Sequence, residues 1–135
     1  SWLCSLIVIY VLLMGIVSIA SAVTQAVPIS TGQFVVNARG YVARPFNVTM
    51  AGVKLKGTFQ VAGNNKDIEV SVLDANGMAI YQRGETAFTY FNSGRLISGN
   101  IDVRLSPGSY FLLFNNAYSI FTSKTVMTDI FLTVE

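Results

Sequence analysis

The stretch DIEVSVL, residues 67–73, carries the pattern that decides the fold class of this chain. Ile68, Val70 and Val72 alternate with polar residues, and side chains on a β-strand point alternately to opposite faces. One face of this segment is therefore apolar and the other polar. Such a segment is typical of a strand that lies between a hydrophobic core and solvent.

The same period of two recurs along the chain. Ile101, Val103 and Leu105 alternate with charged residues, and Val126–Val134 carries a longer row of alternating side chains. Turn residues separate such segments at roughly 8–12 residues, the spacing typical of a sandwich. The predicted strands are Gln33–Asn37, Arg44–Met50, Lys54–Ala62, Asp67–Leu73, Met78–Gln82, Ala87–Phe91, Asn100–Leu105, Ser109–Phe114 and Lys124–Val134. We therefore expect an all-β fold, an antiparallel β-sandwich of roughly eight or nine strands.

Glycine, asparagine and proline mark the turns between these strands. The clearest turns are Gly63–Asn65, Asp74–Gly77 and Ser106–Gly108. Glycine and asparagine tolerate positive φ, and proline fixes its own φ. No segment after Gln33 shows a helical period, so the sequence predicts no helix in this domain.

The segment Tyr110–Phe114 does not alternate, because it is apolar at every position. Two interpretations follow. It is a central strand whose outer face is covered by a loop, or its outer face, with Phe111, Phe131 and Phe91, docks a partner or the membrane surface. A large exposed apolar patch is typical of such docking sites.

The N-terminal segment WLCSLIVIYVLLMGIVSIASAV, Trp2–Val23, is apolar, and the first charged residue of the chain is Arg39. As a helix rising about 1.5 Å per residue it would span roughly 33 Å, enough for a bilayer core of about 30 Å. We therefore expect a transmembrane anchor at residues 1–27, a linker with a first short strand at residues 28–43, and the β-sandwich domain at residues 44–135.

A cleaved signal peptide is the competing interpretation of this segment, because Ala20–Ala22 fits an A-x-A cleavage site. The apolar run is longer than the usual stretch of about 7–15 residues in a signal peptide, which favours a retained anchor. Arg39 and Arg44 follow the helix and point to a cytoplasmic domain. The A-x-A site, which is typical of exported proteins, outweighs these two arginines. We therefore expect a single-pass protein of the cell (inner) membrane with an extracytoplasmic, periplasmic β-domain.

Three small residues mark one side of the predicted membrane helix. Gly15, Ser18 and Ala22 are spaced by three and four positions, which places them on one face. Small residues let membrane helices approach closely. They predict a face that packs against other helices.

The carboxy-terminal half contains an ordered series of short segments. These are Gly63–Val70, Val72–Gly77, Ile80–Tyr81, Asn92–Arg95, Ile101–Leu105, Pro107–Tyr110, Phe114–Asn116, Tyr118–Ser119 and Lys124–Val126. The series, which covers about Leu55 to Val134, resembles the GOLD domain of the emp24/p24 family, and most closely the bacterial GOLD-like proteins. The resemblance implies a GOLD/jelly-roll-like β-sandwich that binds cargo or assembles complexes and has no catalytic role.

Two departures separate this chain from the p24 proteins. Leu113 stands where they carry one of two disulfide cysteines. Their membrane helix is C-terminal and is followed by a cytosolic sorting tail, whereas the helix predicted here is N-terminal. Coat-protein sorting is therefore not expected of this chain.

The composition argues against catalysis. The chain has no histidine, and its single cysteine, Cys4, lies in the apolar segment, so Ser-His-Asp and Cys-His arrangements are excluded. Asp74–Gly77 resembles part of a calcium loop but lacks the later ligands at EF-hand spacing. The net charge of +2 is a small excess and gives no argument for nucleic acid, which usually needs a clustered basic face. We expect no enzyme activity, no cofactor and no nucleic-acid partner.

The segment 115–124 is the best candidate for recognition, because loops held by a rigid sandwich often carry binding function. Its candidate partner-binding residues are Asn115, Asn116, Tyr118, Phe121 and Lys124. In the alternative interpretation, an asparagine caps a tight turn while the two aromatic rings plug the end of the sandwich.

Together these features favour an accessory, structural subunit of a larger membrane complex, such as a respiratory or photosynthetic assembly. Its partners would be other membrane protein subunits and membrane lipid. Two alternatives stay open. One is a pilin-like filament subunit, although Ser5 stands where many type IV pilins have glutamate. The other is a free-standing anchored module that binds a lipid, sugar or peptide.

Overall fold

The structure is a computed structural model that describes residues 26–63 and 66–134. Eight strands and one short helix make up the described part of the chain. They are β1 (Ala26–Val36), β2 (Tyr41–Val48), β3 (Val53–Val61), β4 (Ile68–Asp74), α1 (Ala75–Gln82), β5 (Phe91–Leu96), β6 (Ser98–Leu105), β7 (Gly108–Asn115) and β8 (Lys124–Val134).

The strands form two four-stranded antiparallel sheets, which confirms the predicted all-β sandwich. The first sheet has the order β1-β8-β3-β6, and the second has the order β2-β7-β4-β5. The pairing is nested: β1 pairs with β8, β2 with β7, β3 with β6 and β4 with β5. Successive pairs alternate between the two sheets, so the chain wraps one continuous core.

The core contains the alternating residues that the sequence indicates. Ile68, Val70 and Val72 are fully buried, as are Ile130 and Val126 on β8. Side chains from both sheets meet in this cluster, for example the edge-on rings of Phe34 and Phe114, whose centroids are 4.9 Å apart. Burial of such side chains supplies the main driving force for folding.

The two ends of the sandwich need names, because the functional features lie at them. The near pole is the end where β1 begins at Ala26, β3 begins at Val53 and β8 ends at Val134. The far pole is the opposite end, where β1 ends at Val36 and β8 begins at Lys124.

The helix α1 corrects two sequence predictions, since Asp74–Gly77 was expected to be a turn and Met78–Gln82 a strand. Asp74 is the N-cap, and its Oδ1 accepts a hydrogen bond of 2.7 Å from the Gly77 amide. Aspartate at the N-cap stabilises the first helical turn. Only eight residues long, α1 is too short to display a clear helical period.

This helix covers the outer face of the second sheet. Met78 on α1 packs with Leu73 and Leu113, and Phe111 packs half-buried against the same small cluster. The apolar outer face of β7 is therefore covered, as the first interpretation predicted, but by a helix rather than a loop. Because the helix of the chain itself covers this apolar surface, the surface gives no argument for a docked partner.

The three aromatic rings that could have formed one docking patch lie apart. Phe111 is on the second sheet, Phe131 is on the outer face of the first, and Phe91 packs against the main core. The sequence interpretation that grouped them is wrong because β7 and β8, although consecutive, belong to different sheets.

Strand bounds also differ from the sequence prediction. β1 begins at Ala26 rather than Gln33, and Pro28 lies within it beside a register shift. Proline is tolerated there because β1 is an edge strand. The predicted strand Ala87–Phe91 is wrong, since strand β5 begins only at Phe91.

The predicted membrane helix, with Gly15, Ser18 and Ala22, lies outside the described residues. Within residues 26–63 and 66–134, no helix is long and apolar enough to cross a bilayer.

Candidate functional site

The far loop, residues 116–123, connects β7 to β8 across the far pole, and Asn116 anchors it. The Asn116 side chain is completely buried. Its Nδ2 donates hydrogen bonds to the carbonyl oxygens of Val36 (3.3 Å), Asn37 (3.1 Å) and Thr122 (2.9 Å). One amide therefore ties both ends of the loop to the turn that follows β1.

Backbone hydrogen bonds hold the same loop from outside. The Arg39 amide donates to the Ser119 carbonyl at 2.8 Å, and the Asn116 amide donates to the Gly40 carbonyl at 2.9 Å. Arg39 has a φ of 63°, which places it in the left-handed region of a tight turn. With these bonds added to those of Asn116, the far loop has a defined conformation.

The Asn115 side chain stabilises the fold at the end of β7. Its Oδ1 accepts from the Tyr81 hydroxyl at 3.1 Å and from the Ala117 amide at 2.8 Å, and its Nδ2 donates to Glu69 Oε1 at 3.0 Å. The side chain thus joins α1, β4 and the far loop. Both predicted asparagines serve the fold, in line with the alternative interpretation of this segment.

Lys124 and Tyr118 converge on Asp67, which is not among the partner-binding residues predicted from the sequence. Lys124 is nearly buried, and its Nζ donates to the Asp67 carbonyl oxygen at 2.6 Å and lies 3.4 Å from Oδ1. The Tyr118 hydroxyl donates to the same Oδ1 at 2.8 Å. A buried ammonium needs such a charged partner.

Arg95 completes this group from the neighbouring strand β5. Its guanidinium carbon lies 3.7 Å from the centroid of the Tyr118 ring, a cation–π contact. With Lys66 it lines an open polar depression of about 420 Å³ beside the far loop. Lys66, Arg95 and Lys124 carry three positive charges against the single negative charge of Asp67, so the depression is basic.

The electrostatics follow from these contacts. Burial alone would raise the pKa of the Asp67 carboxyl, but hydrogen bonds from Tyr118 and Lys124, with the charges of Lys124 and Arg95, hold it below its ordinary value of 3.8. Burial and the hydrogen bond to Asp67 raise the pKa of Tyr118. At neutral pH, Asp67 is therefore ionised and Tyr118 is protonated.

Because the pKa of Asp67 is depressed in the folded state, this carboxylate adds stability above its ordinary pKa of 3.8 and loses that contribution as the pH falls through the folded pKa. We expect Asp67→Asn to lose less stability than the wild type when the pH drops below about 4. Urea unfolding at pH 5 and pH 3 would measure this. Asp102→Asn, which removes an exposed partner of Lys54, is the control, and an Asp67→Asn acid response equal to that of the wild type would contradict the assignment.

Phe121 is the one predicted residue that the far loop leaves free. Its side chain is 91% exposed, and the neighbouring Ile120 is 53% exposed. It does not plug the sandwich, so that part of the alternative interpretation is wrong. An apolar side chain presented on an ordered loop and flanked by a basic depression has the composition of a protein-binding surface.

The far pole offers positive charge and an exposed apolar side chain for binding. In the described part of the chain, no three acidic or cysteine side chains gather where they could hold a metal ion. Of the candidate residues, the far pole brings together Asn115, Asn116, Tyr118, Phe121 and Lys124, while Phe111 and Phe131 lie on separate sheet faces. The sequence did not indicate that Asp67 and Arg95 join this group, because both are distant in sequence from the loop.

Neither a family model nor a curated protein matches this chain.

Proposed function

We propose that this protein is a non-catalytic, single-pass accessory subunit of a larger membrane complex, and that its far pole docks on another subunit. The observation that carries this proposal is Phe121, which is 91% exposed on a loop that Asn116 fastens to the sandwich. The β-domain would lie on the extracytoplasmic face of the cell membrane.

The far loop is suited to docking because it is already ordered. Covering a phenylalanine side chain contributes about 1.5–3 kcal/mol, and a loop held in one conformation loses little entropy when it binds. Arg39, Lys66 and Arg95 lie around it and carry exposed positive charge. The complementary partner surface is therefore an apolar pocket with an acidic rim.

The membrane part of the proposal rests on Trp2–Val23. Gly15, Ser18 and Ala22 would line the side of that helix that packs against other membrane subunits. Two contacts would then hold the protein in a complex: a helix face inside the bilayer and the far pole outside it.

The nested strand pairing supports placing the sandwich in the jelly-roll class, in which eight strands form two sheets. The GOLD-like assignment stays a prediction that rests on the segments quoted above. The jelly-roll class and the GOLD-like assignment are both consistent with the proposal that this domain binds a partner and is not catalytic.

Phe121→Ala is expected to reduce the amount of co-purifying protein by about tenfold, since the lost contact corresponds to about 1.4 kcal/mol or more. The measurement is purification of the full chain in mild detergent, followed by identification and quantification of all proteins retained with it. Stability should change by less than about 0.5 kcal/mol, because the side chain touches little of its own domain.

Phe88→Ala is the matched control. Phe88 is also highly exposed, at 72%, but it packs on Tyr90 with a centroid distance of 5.0 Å, away from the far loop. The Phe88→Ala variant should retain the same partners as the wild type. If the wild type purifies as a free monomer, or if both phenylalanine variants retain partners equally, the far pole is not the docking surface.

A further inference from the structure

The near pole carries an apolar surface of its own. Val27, Met50 and Val134 are 52%, 51% and 42% exposed there. They surround a cavity of about 230 Å³ that reaches down to the buried side chains of Val53 and Leu132. The remaining lining residues are Asn47, Val48, Thr49 and Thr133, so none of the described residues that border the cavity is charged.

The position of this surface in the chain indicates what covers it. Strand β1 enters the sandwich at Ala26, and Val27 on the same strand lines the cavity. Before it stand 25 residues without a formal charge, the last apolar one being Val23. Two intervening residues, Thr24 and Gln25, can span at most about 11 Å between Val23 and Ala26, so an anchor ending at Val23 would leave the near pole beside the bilayer.

We propose that the near pole rests on the membrane surface, with Val27, Met50 and Val134 set into the boundary between lipid headgroups and acyl chains. The inference depends on the membrane anchor of the proposed function. Uncharged apolar side chains with a threonine and asparagine border suit that boundary, as they do in proteins that lie on one leaflet.

This contact would fix the orientation of the whole domain. β1 runs from the near pole to the far pole over 11 residues, which at about 3.3 Å each is roughly 35 Å. Phe121 would then stand at that height above the lipid, facing subunits that project from the membrane. A second copy of the chain is the rival occupant. Phe121 of one copy in the near-pole cavity of the next would give a head-to-tail contact, which builds open fibres.

Lipid-depth quenching on the full chain tests the inference. Cys4→Ser removes the native cysteine. Single cysteines are then introduced by Met50→Cys, Val134→Cys, Phe121→Cys and Thr58→Cys, and each is labelled with bimane. Thr58 is an exposed control in the middle of β3, and all four sites are partly or fully exposed, so folding should be preserved. The variants are reconstituted into phosphatidylcholine vesicles containing brominated lipid.

We expect the Met50 and Val134 labels to be quenched at least threefold more than the Thr58 and Phe121 labels. Equal quenching at all four sites would overturn the inference and leave the anchor intact. A ladder of disulfide-linked multimers from the Met50→Cys/Phe121→Cys double variant, without lipid quenching, would also overturn it in favour of a second copy. Failure of the full chain to float with vesicles would instead refute the membrane anchor itself.

Discussion

Asn116→Asp is expected to destabilise the folded domain by about 3 kcal/mol or more at neutral pH, the range for an uncompensated buried charge. The wild-type amide is oriented by three carbonyl oxygens around Nδ2, and its Oδ1 has no hydrogen-bond partner among the described residues. The substituted carboxylate would place a negative oxygen against those three carbonyls. Urea unfolding of the full chain in mild detergent, followed by circular dichroism, measures the change.

The pH dependence separates the charge from the lost hydrogen bonds. Burial disfavours the ionised form, so the introduced carboxyl would have a raised pKa in the folded state. Below about pH 4 the introduced carboxyl is protonated in both the folded and the unfolded protein, so the destabilisation caused by its charge vanishes. This destabilisation grows as the pH rises toward the pKa of the carboxyl in the folded protein. Relative to the wild type, the variant should therefore lose more stability at pH 7 than at pH 4.

Two controls accompany this prediction. Asn116→Ala removes the hydrogen bonds without adding charge and should cost about 1–3 kcal/mol with no such pH dependence. Asn100→Asp adds a carboxylate at an exposed strand position and should be nearly neutral. If Asn116→Asp were within about 0.5 kcal/mol of the wild type at pH 7, Asn116 would not be the anchor of the far loop.

Gly57→Ala is expected to destabilise the folded domain by about 3 kcal/mol or more. A loss of that size is a large share of the total stability of a small domain. Gly57 lies on β3, opposite Ile130 of β8 on one side and Ile101 of β6 on the other. A Cβ added there would lie 2.6 Å from the Ile130 Cα and closer still to the Asp129 carbonyl oxygen. These are backbone atoms, so the two strands would have to separate.

Gly108→Ala is the matched control for this substitution. Its added Cβ would meet the Tyr110 ring at 3.5 Å, an ordinary contact distance. We expect a change of less than about 0.5 kcal/mol at that position. Thermal unfolding of both variants distinguishes them, and equal melting temperatures would show that β8 can yield to a side chain at position 57.

The strands that the sequence predicted best are those with a clear hydrophobic pattern in their own residues. The predicted Asn100–Leu105, Ser109–Phe114 and Lys124–Val134 agree closely with β6, β7 and β8. Each has a regular period or an unbroken apolar run between turn residues. The sequence did not predict helix α1, because Asn76 and Gly77 are common turn residues. What favours a helix there is the packing of Met78 against Leu73 and Leu113, which the sequence pattern does not show.

The far pole was predictable only in part. The loop could be located because aromatic and amide residues follow a strand, and Phe121 was among them. Which of those residues would be free could not be read from the sequence. Asn116 and Lys124 are as polar as any surface residue, yet both are buried in the structure. Burial is possible because Asn116 donates hydrogen bonds to three carbonyl oxygens and Lys124 pairs with the Asp67 carboxylate.

By itself, then, the sequence determined which residues face the core and excluded histidine-based chemistry, because side-chain alternation and composition are properties of the local chain. Only the tertiary structure decided that Lys124 meets Asp67 across 57 positions, that Arg95 covers Tyr118, and that Gly57 lies against β8. Such contacts depend on strand register and on which sheet each strand joins. Those are set by the packing of the whole core, which no local pattern specifies.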